Sequence, residues 1–303
     1  MWDSLDNGFR IAFENAWEAY RIARRANVIA VIADIHGNLP ALEAVLDDMP
    51  EVSEIWALGD FVTGAPYPCE VLERLLGLPV PARSVLGNQD EALLQKRGQK
   101  KTRQFGIHQW VEESLLPRHW AFLEGLGKSL AVEGALLFHG TPEEAGGAVI
   151  TQGHAEQLAR AYGYRWLAGG HRHQARYFRM GGQGMFIPGA VGLSVDRMGG
   201  MAAYALLDGD KLSFRYVPYD AWAVAAKMEK HPVAELAPGV ARCVRQEILT
   251  GRCFMMSLVR HAFGCAEKQL GCRPDEIPGE IWDEAERTWD GSEYLVEEAL
   301  CAS

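Results

Sequence analysis

Five short apolar runs, each ending in a turn of Asp, His, Asn or Gly, constrain this chain more than any other feature. They are residues 28–33, 55–58, 82–86, 135–138 and 166–168. Runs this short, rich in Val and Ile and bounded by Gly, read as buried strands. Helical stretches separate the early ones. Residues 39–46 put Leu42, Val45 and Leu46 on one face, and residues 68–76 do the same with Val71, Leu72, Leu75 and Leu76. Strand–helix–strand alternation implies parallel pairing and an α/β fold.

Beyond residue 174 the pattern changes. Residues 175–179, 185–187, 202–207 and 211–217 read as consecutive strands, with Gly181-Gly182 and Asp208-Gly209-Asp210 as turns. From Ala221 onward Met, Leu, Val and Trp recur at helical spacing, so a boundary is expected near Asp220. In front of the first strand, Phe9, Phe13, Ala16, Trp17, Tyr20 and Ala23 form the stripe of an amphipathic helix. The chain thus divides into an N-terminal helical extension (1–27), an α/β domain (28–220) and a helical C-terminal appendage (221–303). Trp222, Met228, Val244, Ile248, Leu258, Phe263, Ile281 and Trp289 are predicted to form the packed side of the appendage, against the domain or a second copy of the chain.

Composition narrows the function classes. Hydrophobic residues are 48% and charged residues 23%, enough for a substantial core, and the formal net charge is −10. An acidic surface disfavours broad binding to nucleic acid or anionic membrane. No apolar run approaches the roughly 20 residues that span a bilayer. Residues 1–27 lack the apolar core of a signal peptide. The six cysteines form no C-x-x-C pair. Cys243, Cys253, Cys265 and Cys272, although near His261, are too irregularly spaced for structural zinc and read as free buried thiols. A cytoplasmic protein with reduced thiols is expected.

In open α/β sheets, ligands bind at the carboxyl ends of strands. Here the first run ends in Asp34-Ile35-His36-Gly37-Asn38, the second in Gly59-Asp60 and the third in Gly87-Asn88-Gln89-Asp90. The fourth ends in His139-Gly140 and the fifth in Gly170-His171-Arg172-His173. Imidazoles, carboxylates and one amide suit hard-to-borderline divalent ions. Alternate residues, as in Asp34/His36 and His171/His173, can share one site if the turn is extended. Seven ligands, namely Asp34, His36, Asp60, Asn88, His139, His171 and His173, exceed one tetrahedral ion and suit two ions with a shared bridge. A metal pair about 3.5–4 Å apart is a standard device for phosphoryl displacement.

This ordered series, D-x-H, G-D, G-N, H-G and G-H-x-H, resembles the calcineurin-like metallophosphoesterase superfamily over roughly residues 28–220. The D-I-H-G-N, H-G-T-P and I-P-G-A-V-G segments look most like its small bacterial and archaeal phosphodiesterase branch. The resemblance implies two packed β-sheets flanked by helices, and hydrolysis of phosphoesters by water activated between two metals. It assigns Asp34, His36, Asp60 and His173 to one ion and Asp60, Asn88, His139 and His171 to the other, with Asp60 bridging. Manganese is the first candidate, with Fe, Zn, Ni or Co also acceptable to these ligands. The expected partner is a small phosphoester, with homo-oligomers formed through the helical extensions. A phosphomonoesterase and a non-catalytic metal- or phosphate-binding scaffold are the rival readings.

The family pattern has His after the Asn, where this chain has Gln89. Glutamine cannot donate a proton as a general acid, but it can hydrogen-bond a phosphoryl oxygen. Asp90 either starts the next helix or supports a neighbouring ligand, and Asn38 suits the cap of the helix at 39–46. Arg172 either binds substrate phosphate or faces solvent. The basic run 96–103 either is a solvated loop or lines the cleft, and His108 and His154 read as structural. The appendage, which lacks a ligand cluster, is predicted to take no part in metal chemistry.

Overall fold

Side-chain alternation in the first strand sets the layering. The computed structural model describes residues 28–99, 102–149, 151–274 and 276–292. In β1 (Val28–Ile32), Ala30 and Ile32 face one side and Val31 the other, the period of two of any strand. Ala30 and Ile32 pack with Leu42, Val45, Val71 and Leu72 of α1 (Leu39–Asp48) and α2 (Pro68–Leu76). Val31 packs with Trp56 and Leu58 and, across the interior, with Leu137, Trp166 and Phe186 of a second sheet.

The first sheet has the order β10-β9-β1-β2-β3, with β2 (Glu54–Ala57), β3 (Ala82–Ser84), β9 (Met201–Asp208) and β10 (Lys211–Pro218). Its β1, β2 and β3 are parallel, while β9 runs antiparallel to β1 and β10 to β9. The second has the order β4-β5-β6-β8-β7, with β4 (Ser129–Val132), β5 (Ala135–Phe138), β6 (Trp166–Ala168), β7 (Ala175–Met180) and β8 (Gln183–Pro188). Its β5, β6 and β8 are parallel, with β4 and β7 antiparallel at the edges. The fold is therefore two mixed sheets face to face, flanked by helices.

The expected α/β class holds, with differences in detail. The four late strands do not form one run: the β7–β8 hairpin joins the second sheet and the β9–β10 hairpin returns to the first. β4 was not anticipated, because its exposed–intermediate alternation is that of a sheet edge. Three more helices appear, α4 (Gly106–Ser114), α5 (Pro117–Glu124) and α6 (Gln152–Tyr162), besides the short α3 (Asn88–Gln95). Ala155 and Ala159 of α6 cover the outer face of the second sheet.

Asp220 caps α7 (Ala221–Glu229), its carboxylate accepting from Ala223 N at 2.9 Å. There follow α8 (Val233–Leu236), α9 (Pro238–Thr250), α10 (Met255–Leu270) and α11 (Gly279–Thr288). Val224, Met228, Val244, Ile248, Leu258 and Trp282 form their own buried cluster, which also takes in Ala65, Ile107 and Leu193 of the two-sheet body. Trp222, predicted on the packed side, is instead 75% exposed. Ala221, Val224, Ala225 and Met228 fill the buried stripe of α7, and Trp222 falls outside it. The expected N-terminal helix at 1–27 lies outside the described residues. No described helix is long and apolar enough to cross a membrane.

Candidate metal centre

The five strand ends converge. Asp34 and His36 follow β1, Asp60 follows β2, Asn88 opens α3 after β3, His139 follows β5, and His171 and His173 follow β6. Six described non-glycine residues have left-handed φ, and five are Asp34 (54°), His36 (50°), Asp60 (55°), His171 (69°) and His173 (57°). The turns are thus not extended, as alternate facing would require, but kinked at both members of each pair. Such conformations cost about 1–3 kcal/mol each and persist where surrounding structure imposes them. Here that structure includes Asp34 N to Gly59 O at 3.1 Å, His36 N to Asp60 O at 2.9 Å and Gly170 N to His139 O at 2.7 Å. Gly87 completes it, since a Cβ there would overlap the Asp60 amide and carboxylate.

Backbone carbonyls set the ring tautomers. His36 Nδ1–H donates to Thr63 O at 2.5 Å, His139 Nδ1–H to Leu58 O at 2.5 Å and His173 Nδ1–H to Leu193 O at 2.7 Å. A carbonyl only accepts, so each Nδ1 carries the proton and each Nε2 is left bare in the neutral ring. Two of these bare nitrogens, on His36 and His173, face each other at 3.1 Å. Two acceptors at that distance need a cation or a proton between them. Ligand atoms of Asp34, His36, Asp60 and His173 all lie within 4.8 Å of one another. Around Asn88 Oδ1 a second set gathers, His171 Nδ1 at 2.9 Å and His139 Nε2 at 3.1 Å, with Asp60 Oδ2 3.4 Å from His139 Nε2. All seven sequence-predicted ligands are therefore together, and the donor set fits divalent ions.

Asp34, His36, Asp60 and His139 form a buried floor, while Asn88, Gln89, His171, Arg172 and His173 stay partly exposed at the mouth. Burial, the largest influence on Asp34 and Asp60, favours their neutral acids, but the surrounding histidines outweigh it and hold both below the usual range. Burial and the His139 charge push His171 down to about 4. For His139 burial again acts downward, yet Asp60 and Asp34 lift it to about 10. Without metal this ring is protonated at pH 7, and coordination must displace that proton. Metal uptake at pH 7 is accordingly expected to release protons, seen as buffer-dependent heat in calorimetry, with affinity weakening as pH falls. Uptake without proton release would mean that His139 is neutral before metal binds or that its Nε2 is not a ligand.

Asp90 is fully buried and braces two site loops, accepting from Phe61 N at 3.0 Å and Gly87 N at 3.2 Å. Burial and the neighbouring Asp60 charge push it up to about 7. Gln89 donates its backbone N–H to Asp60 Oδ1 at 2.8 Å. Arg172 is half-buried, with Nε and Nη2 shielded from water, and its charge reaches Cys253 between α9 and α10. Asn38 accepts from Ala41 N at 3.3 Å as the cap of α1 and also donates to Gly192 O at 2.9 Å. From the basic run, Lys96 pairs with Glu276 at 3.0 Å and Arg97 with Glu124 at 2.7 Å; Lys100 and Lys101 lie outside the described residues. The described cysteines are free thiols, but of Cys243, Cys253, Cys265 and Cys272 only Cys243 is buried, and Cys272 is exposed. The carbonyls of Leu58, Thr63 and Leu193 were missed by sequence reasoning, because a backbone acceptor leaves no residue-type signal.

Residues 28–211 match the family model of the calcineurin-like phosphoesterase superfamily domain. The crystal structure of a metallophosphoesterase from Sphaerobacter thermophilus superposes with a TM-score of 0.65 at 27% identity, over 74% of this chain and 99% of that one. An uncharacterized protein of Methanocaldococcus jannaschii is 35% identical over 104 residues, 33% of this chain and 42% of that protein. A symmetrical bis(5'-nucleosyl)-tetraphosphatase of Erwinia tasmaniensis is 40% identical over 67 residues, 21% of this chain and 24% of that enzyme. The chain thus spans less than half the length of these two curated relatives.

Proposed function

The chain belongs to the calcineurin-like phosphoesterase superfamily, and we propose that it is a dinuclear metal-dependent hydrolase of small phosphodiesters. The observation that carries the reading is the pair of ring Nε2 atoms on His36 and His173, 3.1 Å apart beside two buried carboxylates. Asp34, His36, Asp60 and His173 would hold one ion and Asp60, Asn88, His139 and His171 the other. Two such ions would supply Lewis acidity, lowering the pKa of an attacking water and offsetting charge on the phosphoryl oxygens.

The chain's own contribution is orientation. Thr63, Leu58 and Leu193 fix the imidazole tautomers, the Gln89 amide fixes the Asp60 carboxylate, and Asp90 ties the loop after β2 to the loop before α3. Gln89 at the mouth can hydrogen-bond a phosphoryl oxygen but gives the leaving group no proton. Substrates with good leaving groups are therefore favoured. The preference for diesters rests on the likeness of the D-I-H-G-N, H-G-T-P and I-P-G-A-V-G segments to the phosphodiesterase branch.

The test is a substrate panel with manganese: bis(p-nitrophenyl) phosphate, p-nitrophenyl phosphate and a bis(5'-nucleosyl) tetraphosphate. The loaded protein is expected to cleave the diester faster than the monoester, and the metal-free protein to cleave neither. Faster monoester turnover would make it a phosphomonoesterase. Two bound ions with no turnover of any substrate would make it a binding scaffold.

A further inference from the structure

Among its described residues the C-terminal appendage supplies no metal ligand, yet it is stitched to the part of the body that holds one. Glu247 of α9 is only 3% exposed, and its Oε1 accepts from Phe254 N at 2.8 Å and Met255 N at 2.7 Å. These bonds close the turn between α9 and α10. The same turn grips the segment before β9: Gly251 O accepts from Arg197 N at 2.7 Å, and Ile248 O from Gly200 N at 2.9 Å. Gly199 lies so close that a Cβ on it would overlap the Leu249 carbonyl. That segment in turn frames His173. Leu193 O accepts from His173 Nδ1–H at 2.7 Å, and Val195 N donates to His173 O at 3.3 Å. Leu193 itself packs in the buried cluster of the appendage helices.

A buried carboxylate is a costly way to close a turn, since a neutral acceptor would serve without desolvating a charge. Burial pushes Glu247 up from the usual carboxylate range, against the Met255 amide and His173, and Glu247 is in turn one of the charges acting on His173. We propose that Glu247 is a positioning residue for His173, and through it for the ion of the Asp34, His36, Asp60 and His173 set. The inference rests on the dinuclear reading above. It ties metal affinity at one site to the docking of a helical unit outside the two-sheet body.

The experiment measures manganese binding to the metal-free full-length protein by calorimetry, alongside thermal melting. Wild type is expected to take two ions, and His173→Ala identifies which affinity belongs to the His173 site. Glu247→Ala should weaken that affinity about 10–100-fold, the usual loss when a partner outside the ligand shell is removed, and leave the other unchanged. Glu247→Gln keeps an acceptor oxygen for the turn but removes the charge that acts on His173, and should weaken that affinity by less than Glu247→Ala does. Gly199→Ala displaces the same segment without altering Glu247 and should reproduce the selective loss. If Glu247→Ala yields no folded protein, Glu247→Gln decides the matter, and full wild-type affinity at both sites in that variant overturns the proposal. A lowered melting temperature with both affinities intact, or equal weakening of both, overturns the proposal and leaves Glu247 a merely structural residue. Fewer than two ions on wild type would instead defeat the dinuclear reading, and this inference with it.

Discussion

Replacing Asp60 with Ala is expected to lower kcat/KM for bis(p-nitrophenyl) phosphate by more than about 10³-fold and to reduce bound metal. Losing a partner outside the ligand shell already costs about 10–100-fold, and Asp60 is placed to serve both ligand sets directly. Its Oδ2 lies 3.6 Å from His36 Nε2 and 3.4 Å from His139 Nε2. Its Oδ1 also takes the Gln89 amide at 2.8 Å. Alanine removes the carboxylate that both proposed ligand sets would share and leaves that amide without its acceptor. Asp60→Asn separates the two losses, because it keeps an acceptor oxygen for Gln89 while weakening the charge offered to metal. It should stay folded, lose most turnover and bind less metal. The readouts are steady-state kinetics, metal analysis and circular dichroism. Full metal content with full turnover in Asp60→Ala would remove Asp60 from the bridging position.

Much of this site was legible because ligand chemistry needs particular residue types at strand ends. Buried strands such as β5 and β6 announce themselves by continuous apolar runs, so the polar residues just after them stand out. Edge strands do not: β4 alternates exposed and intermediate residues and carries no such run. Periodicity within 175–217 identified strands but not their sheet, because partner choice is a long-range matter. β9 pairs with β1 across about 180 residues of sequence, with Ile29 opposite Leu207. The left-handed φ of Asp34, His36, Asp60, His171 and His173 was also hidden, since none is glycine. Their conformations are imposed by contacts such as His36 N to Asp60 O, which exist only once both strand ends have met. Glu247 escaped for a similar reason. In sequence it is one more charge on a helix, and its burial depends on how α9 docks.

Gln89→His is expected to raise turnover of alkyl phosphodiesters by about 10²–10⁴-fold, the usual contribution of a positioned general acid, and to change nitrophenyl ester turnover little. An alkoxide leaves poorly unless protonated as the bond breaks, whereas a nitrophenolate is stable enough to leave unaided. Position 89 suits the role: it lies in the first turn of α3, half-buried at the mouth and next to Asn88 of the second ligand set. The exchange should not disturb that ligand set, because residue 89 holds Asp60 through its backbone N–H, which any residue but proline retains. His is a slightly poorer helix former than Gln, but the difference is at most about 0.7 kcal/mol. A hundredfold rate change corresponds to about 2.7 kcal/mol, so a catalytic gain would not be masked by loss of stability. The new imidazole could instead capture an ion, which metal analysis would show as altered stoichiometry. With two ions still bound, equal effects on alkyl and nitrophenyl esters would mean that residue 89 only contacts the phosphoryl group. No effect on either would place its side chain out of reach of the leaving group, and the slow step would then have to be sought elsewhere in the site.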